Sequence, residues 1–280
     1  MSTHSSVTRE SRATRLLLIL ATVAVLVVLL LLPLAVVFSE ALRRGLPTAL
    51  AALASPDAIA AIQLTLLVAA VSVPLNTVCG LAAAWCIGRF RFRGRSLLIT
   101  LIELPFSVSP VISGLVWVLL FGANGWLGPM LDEAGIRIIF ALPGLILATL
   151  FVTLPFVVRT LLPLMQSQGA TEEEAALTLG ASGWQVFWRV TLPNIRWGLL
   201  YGVLLCNARA MGEFGAVAVV SGHIRGQTMT MPLQIEGLFN DYDWVGAFTI
   251  AAVLALLAVL TLVAKAALEW RIGRRGGILA

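Results

Sequence analysis

The chain has 280 residues, of which 59% are hydrophobic and only 12% are charged, and its mean hydropathy is +0.97. Such a composition excludes a soluble globular domain and indicates an integral membrane protein. The formal net charge of +5 does not indicate nucleic-acid binding, because the basic residues flank apolar segments instead of forming one basic stripe.

Six apolar segments follow one another, and each is long enough to cross a hydrocarbon core of roughly 30 Å. They predict an all-α protein with six transmembrane helices, at residues 16–38, 59–88, 96–121, 140–164, 198–221 and 244–268. The first span follows a polar tail, residues 1–15, and is too long for the apolar region of a cleaved signal peptide, so we predict that it is retained. The other five spans form one predicted domain, residues 59–268, which is followed by a second tail, residues 269–280.

The third predicted span combines two prolines with three serines. Pro105 and Pro110 each remove a helix hydrogen bond, which a membrane helix tolerates where neighbouring groups satisfy the freed backbone. We therefore predict a helix that is bent or broken at membrane depth, with Ser107 and Ser109 near the break.

A segment that looks soluble, residues 169–197, separates the fourth and fifth spans. Thr171 and Glu174 have the spacing of a capping box at the start of a short helix, and three consecutive glutamates suit the positive end of its dipole. Gly180 can adopt the left-handed conformation that ends this helix, and a second amphipathic turn is predicted to run to Pro193. The sequence thus predicts a compact elbow across one face of the membrane.

The fifth span carries Arg209, four residues before Glu213. Residues at this spacing share one helix face and can form an ion pair. Ionisable groups at this depth normally face a bundle interior or an aqueous path. Two interpretations stay open: the pair forms a wall or gate of a conduit in which Arg209 attracts an anion, or it locks helix packing.

The basic residues also predict how the chain is oriented. With both termini in the cytoplasm, fourteen of the 19 lysines and arginines lie on the cytoplasmic side, including the four arginines of residues 89–95. Four lie on the external side, namely Arg43, Arg44, Arg137 and Arg225. This positive-inside bias places the elbow in the cytoplasm.

The elbow resembles the EAA loop of binding-protein-dependent ABC importer permeases, whose pattern is EAA-x3-G-x9-I-x-L-P. The match runs from Glu174 to Pro193 and departs from the pattern only at Val190. The resemblance implies a type I importer permease fold, in which the first short helix docks into a groove on a cytoplasmic ATPase. The residues it assigns to this contact are Glu174, Ala175, Ala176, Leu177, Gly180, Leu192 and Pro193. The alternative, an amphipathic helix lying on the bilayer, would favour lysine and arginine over three acids.

A second resemblance narrows the family. Residues 209–216 are similar to a segment shared by oxyanion importer permeases, and residues 104–114, 217–236 and 239–244 are similar to W-type permeases of sulfate/thiosulfate systems. The resemblance implies an inner-membrane subunit that moves sulfate or thiosulfate into the cytoplasm, with molybdate or tungstate as the alternative. It further implies a first helix wrapped around a five-helix core, and a translocation path or gate at Arg209, Glu213, Ser107 and Ser109.

The same resemblance implies which partners surround the chain. They are a second, T-type permease in a heterodimer, a cytoplasmic ATPase dimer, a periplasmic sulfate-binding protein and membrane lipid. Binding-protein docking is predicted on the loop of residues 222–243, at His223, Arg225, Thr228 and Asp241. Its donors could hydrogen-bond a dianion during hand-over. The alternative is a solvated loop in which Asp241 or Asp243 caps the sixth helix.

Catalytic motifs do not occur in the sequence. It has no Gly-x4-Gly-Lys-Ser/Thr phosphate loop, no His-Glu-x-x-His motif and no Gly-x-Ser-x-Gly motif. We therefore predict a transport subunit without metal, cofactor or catalytic residues, with ATP hydrolysis on a separate chain. A stand-alone secondary transporter is disfavoured, because the sequence has no convincing inverted repeat and few acids near the midplane.

Overall fold

The computed structural model describes the backbone of residues 12–276 and the side chains of residues 13–270; the remaining parts of the two predicted tails lie outside it. The described residues form helices and turns without strands. In chain order the helices are α1 (Arg12–Ala41), α2 (Leu46–Leu53), α3 (Pro56–Arg89), α4 (Arg95–Ser107), α5 (Pro110–Phe121), α6 (Gly128–Glu133), α7 (Leu142–Gln168), α8 (Thr171–Thr178), α9 (Gly183–Val186), a π-helical segment (Phe187–Thr191), α10 (Leu192–Met211), α11 (Gly215–Ser221), α12 (Met231–Asn240) and α13 (Trp244–Gly276).

Four of these helices, α1, α3, α7 and α13, are individually long and apolar enough to cross a membrane. Two bent pairs qualify only as pairs: α4 with α5, which meet at 109°, and the helix of residues 183–211 with α11, which meet at 49°. The break predicted in the third span is thereby confirmed. The fifth span was predicted as one continuous helix, and this is wrong, because it is broken at residues 212–214.

Helices α3, α7 and α10 pack against one another in the centre of the bundle. Small residues allow this close approach: a Cβ atom at Gly80 of α3 would lie 2.7 Å from Cβ of Val157 in α7. A polar contact joins the same helices, since the amide of Asn76 donates to Thr153 Oγ1 at 2.7 Å and to the Leu150 carbonyl at 3.1 Å. The centre is therefore held by small residues and by two interhelical hydrogen bonds from Asn76.

Helix α1 lies at the edge of the bundle and packs along α13. Its apolar side chains between Leu16 and Leu32 are about half or more exposed on all sides of the helix. A helix that is apolar all round suits a lipid environment. The short helix α2 also packs on α13.

The segment of residues 222–243, predicted as a loop, contains helix α12. Met231 and Leu233 are fully buried, and α12 packs against α3 and α13. The Met231 N–H donates to Thr65 Oγ1 of α3 at 2.8 Å, which ties the start of α12 to the bundle. The loop prediction was wrong because the polar ends of this segment hid a central run with apolar residues on one helix face.

Candidate functional site

The elbow of residues 169–197 lies at one end of the bundle, which we call the elbow end. Gly180 has φ of +87° and ends α8, as predicted. Its N–H donates to the Leu177 carbonyl at 3.0 Å, and the Ala181 N–H donates to the Ala176 carbonyl at 3.1 Å, which is the Schellman arrangement. A Cβ atom at Gly180 would meet nothing within 4 Å, so the site requires glycine for its backbone conformation and not for space.

The capping box predicted at Thr171 and Glu174 is wrong. Helix α8 is capped one residue earlier, and the Glu174 N–H donates to the Ala170 carbonyl at 2.9 Å. A capping box occurs instead at the start of α9: Ser182 Oγ accepts from the Gln185 N–H, and Gln185 Oε1 accepts from the Ser182 N–H at 2.8 Å. The spacing of a hydroxyl and a carboxylate does not by itself determine which residue precedes the helix.

The second part of the elbow does not end at Pro193. Helix α9 continues through the π-helical segment into α10, so Leu192 and Pro193 are the first two residues of α10. Leu192 packs against the central core, whereas Pro193 is exposed. Proline lacks an N–H and would crowd the preceding turn of an α-helix, and the wider π turn just before it accommodates the ring.

The two faces of the elbow differ in what they expose. On one face, Leu179 is 88% exposed and Trp184 is 71% exposed. Glu174, Ala175 and Leu177 are also exposed. Contiguous exposed apolar residues flanked by charge are typical of a protein interaction surface.

The opposite face of α8 is tied to the bundle by its acids. Glu173 pairs with Arg89, the last residue of α3, at 2.7 Å, and also accepts a hydrogen bond from Thr191 at 2.7 Å. Glu172 accepts a hydrogen bond from Asn194 of α10. These contacts were not predicted from the sequence. The available signal was the run of arginines at residues 89–95, whose charge is opposite to that of the three glutamates.

The two broken spans meet within the bundle. A Cβ atom at Gly215, the first residue of α11, would lie 3.0 Å from Cβ of Pro110, the first residue of α5. One turn further along α5, a Cβ atom at Gly114 would lie 2.7 Å from the Ala216 carbonyl oxygen. Ser107 and Ser109, which flank the break before α5, are both exposed. Two helix breaks are therefore in contact.

The predicted ion pair between Arg209 and Glu213 is confirmed, with a nitrogen to oxygen distance of 2.8 Å. It does not lie within one helix, because α10 ends at Met211 and Glu213 belongs to the break. Glu213 is buried, and its other oxygen accepts from the Ala216 N–H at 3.0 Å, in the first turn of α11. The Arg209 side chain stays 33% exposed. The pair thus bridges the break and leaves the cation accessible.

The end of the bundle opposite the elbow carries the predicted docking residues. His223 lies 3.4 Å from Glu236, and Arg225 pairs with Asp241, all with exposed side chains. Thr228 is only 2% exposed, because its hydroxyl donates to the Ser221 carbonyl at 2.6 Å and accepts from the Ile224 N–H at 3.1 Å.

Thr228 therefore stabilises the turn after α11 and has no exposed hydroxyl, while its role in docking stays a prediction. The alternative prediction, that Asp241 or Asp243 caps the sixth helix, is confirmed for Asp243. Its Oδ1 accepts from the Gly246 N–H at 3.1 Å in the first turn of α13, whereas Asp241 is engaged with Arg225.

Comparison with known proteins gives a consistent result at the level of families. Residues 76–274 match the family described as "Binding-protein-dependent transport system inner membrane component". Two solved bacterial alginate ABC transporter structures resemble the chain, with TM-scores of 0.73 and 0.74 over 92% and 94% of it, at 20% identity. They support the fold alone.

Curated relatives are much closer in sequence. The chain is 57% identical over 244 residues to "Sulfate transport system permease protein CysW" of Escherichia coli (strain K12), covering 87% of this chain and 84% of the relative. It is 54% identical to the protein of the same name from Synechocystis, covering 94% of this chain and 95% of the relative. Identity to "Sulfate transport system permease protein CysT" of Escherichia coli (strain K12) is lower, 38% over 88% of this chain and 89% of the relative.

Proposed function

The chain belongs to the family of inner membrane components of binding-protein-dependent transport systems, and we propose that it is the permease subunit of an ATP-driven importer that carries sulfate into the cytoplasm. It is a multi-pass inner membrane protein and a transport component, not an enzyme. The observation that carries the proposal is the elbow, a glycine-terminated helix with an exposed apolar face, in a chain 57% identical to a sulfate permease. Thiosulfate is the second expected substrate, because it is also a tetrahedral dianion.

We assign the contact with the ATPase to the exposed face of the elbow. Glu174, Ala175 and Leu177 lie on this face of α8, and Gly180 sets the direction in which the chain leaves the helix. Small and apolar residues suit a helix that docks into a groove. Ala176 is half-buried, and Leu192 and Pro193 begin α10, so these three are proposed to support the contact from the bundle side.

The contact between the two broken spans is the proposed translocation path. Broken helices place helix ends and side chains at membrane depth, where transporters build substrate sites. The partly exposed Arg209 would attract an anion. Glu213 would hold the Arg209 guanidinium in place and lower the net charge of the pair. Ser107 and Ser109, exposed at the neighbouring break, would donate hydrogen bonds along the same path. This proposal combines the two interpretations of the ion pair, since it both locks the break and lines the path.

The orientation and the partners are also proposals. The positive-inside bias supports both termini and the elbow in the cytoplasm, against an ATPase dimer. His223, Arg225 and Asp241, at the opposite end, would then face a periplasmic sulfate-binding protein. A second, T-type permease is the proposed partner in the membrane. The lower identity of 38% to the CysT relative supports this chain and a T-type permease being different subunits.

Labelled-sulfate uptake tests the proposed function, in cells without their own sulfate importer that receive this chain and its neighbouring transport genes. We expect uptake that is competed by thiosulfate and not by molybdate. Gly180→Val should reduce uptake by about tenfold or more, because a β-branched residue is strained at φ of +87° by about 1–2 kcal/mol.

Gly183→Val is the matched control. Gly183 lies in the same elbow without a positive φ, and its Cβ would meet nothing within 4 Å, so uptake should stay near the unaltered level. Competition by molybdate instead of thiosulfate would indicate that the importer carries another oxyanion. Full uptake by Gly180→Val would contradict the proposed role of the elbow in coupling the ATPase to transport.

A further inference from the structure

We propose that the ion pair between Arg89 and Glu173 is the joint that holds the coupling helix α8 against the bundle, which makes Arg89 a positioning residue for energy coupling. This inference rests on the proposed function, because it assigns the joint a role within the ATP-driven importer. The motif that identifies the elbow begins at Glu174 and includes neither residue.

Both oxygens of the Glu173 carboxylate are engaged, and by different parts of the chain. One lies 2.7 Å from Arg89 Nε at the end of α3, and the other accepts from the Thr191 hydroxyl at 2.7 Å, in the π-helical segment of the elbow. The two side chains of the ion pair are only 12% and 13% exposed, so solvent screens this pair less than a surface pair. Glu173 therefore joins the end of α3 to the second half of the elbow.

Arg89 makes a second contact that extends the joint. Its guanidinium also donates to the Met165 carbonyl at 2.8 Å, in the last turn of α7. Carbonyl groups in the last turn of a helix lack partners within the helix, and the negative end of the dipole favours a cation there. A single side chain on α3 thus contacts α7 and α8. Because α3 and α7 pack together along the centre of the bundle, a displacement of α8 would act on both helices.

The three glutamates of α8 consequently divide into two groups. Glu172 bonds to Asn194, and Glu173 forms the joint, so both face the bundle. Among the described side chains, Glu174 makes no hydrogen bond or ion pair, and it is exposed. Glu174 is the acid left for an ATPase, whereas Glu173 determines where the helix that carries it is held.

The first test uses the complete importer in proteoliposomes, with Glu173→Gln, Arg89→Gln and the double variant in this chain. We expect the ATPase subunit to co-purify as before, while sulfate imported per ATP hydrolysed falls about fivefold in each single variant. The double variant should lose no more than Arg89→Gln alone, because Arg89→Gln already removes the shared ion pair and the glutamine introduced at position 173 can still accept from Thr191. Arg91→Gln is the matched control: it removes the same charge two residues away, at an exposed position, and should leave the ratio unchanged.

The second test does not depend on the substrate. Amide hydrogen exchange in residues 171–178 should be about tenfold faster in both single variants than in the unaltered chain and in Arg91→Gln, because a largely buried ion pair that holds α8 against the bundle is lost. Unchanged hydrogen exchange would show that the Arg89–Glu173 ion pair does not hold α8 in place. Faster exchange with unchanged sulfate import per ATP would show that the ion pair has no role in energy coupling. If the unaltered importer moves no sulfate, the proposed substrate fails, and the exchange comparison still decides whether the joint exists.

Discussion

Asn76 makes the clearest contribution of a single side chain within the bundle. It is 2% exposed, and its amide reaches from α3 to two groups on α7, Thr153 Oγ1 and the Leu150 carbonyl. Side-chain hydrogen bonds between membrane helices contribute about 0.6 kcal/mol on average and up to about 1.7 kcal/mol. We expect Asn76→Leu to lower the free energy of unfolding in detergent by about 1 kcal/mol, measured by denaturant or thermal unfolding of the purified chain.

Thr77→Val is the control for this prediction. The Thr77 hydroxyl donates to the Val73 carbonyl of its own helix at 2.7 Å, so its removal breaks no contact between helices. Equal stability of the two variants would mean that the Asn76 amide adds nothing to the packing of α3 on α7.

Individual residues of the elbow were predictable to different degrees. The conformation of Gly180 followed from its position after a short helix, because few residues other than glycine end a helix in the left-handed region. The partner of Glu173 was not predictable, since Arg89 lies 84 positions earlier and only the packing of α3 on α7 brings it there. Local rules therefore sufficed for helix ends and failed for contacts between segments.

At the scale of elements, the two helix breaks show what determined predictability. Prolines marked the break between α4 and α5, and it was found. The break between α10 and α11 has no proline, and its signal was two glycines, Gly212 and Gly215, around a buried acid. Glycines also mark close helix contacts in membranes, so they do not by themselves predict a break.

The packing of α5 on α11 depends on Gly114. A Cβ atom there would lie 2.7 Å from the Ala216 carbonyl oxygen and 2.8 Å from Cβ of Val219, and backbone atoms cannot move aside as a side chain can. We expect Gly114→Ala to separate the two broken spans, lower the free energy of unfolding by about 1–3 kcal/mol and reduce sulfate uptake. Both quantities are measured on the same variant, in purified protein and in cells.

Gly212→Ala carries the same substitution at the neighbouring break. Its Cβ would meet only the Ala208 carbonyl oxygen, at 3.6 Å, which is an ordinary contact, and φ is −94°. This variant should retain stability and uptake. If Gly114→Ala retains stability and uptake as Gly212→Ala does, the contact between the two breaks can accommodate a methyl group.

At the scale of the whole molecule, the orientation can be tested directly. We expect a membrane-impermeant maleimide to label Tyr242→Cys but not Ser182→Cys in intact cells, in a chain without its native cysteines. Both positions are exposed, and they lie at opposite ends of the bundle. Disrupted membranes should label both, which serves as the control. Labelling of Ser182→Cys in intact cells would place the elbow outside and overturn the proposed orientation.

The overall arrangement was only partly predictable from the residues. Hydropathy located the four helices that are individually long enough to cross lipid and the two bent pairs that qualify together, because each needs enough apolar length. The position of α12 within the bundle and the contact between the two breaks depend on packing between segments distant in the chain, for which a single sequence has no local signal. The helix arrangement itself was expected from resemblance to a family and not from periodicity.

The π-helical segment, finally, lets the helix carry one extra residue without turning the elbow. Each α-helical residue advances the side chains by about 100°, and a π turn contains about one residue more than an α turn. Phe187–Thr191 therefore takes up the extra residue within a single turn, so that α9 and α10 keep the relative orientation of a regular helix. Removing one residue from this segment should leave Trp184 facing as it does now, whereas removing one residue from an α-helical turn would rotate it by about 100° around the helix axis.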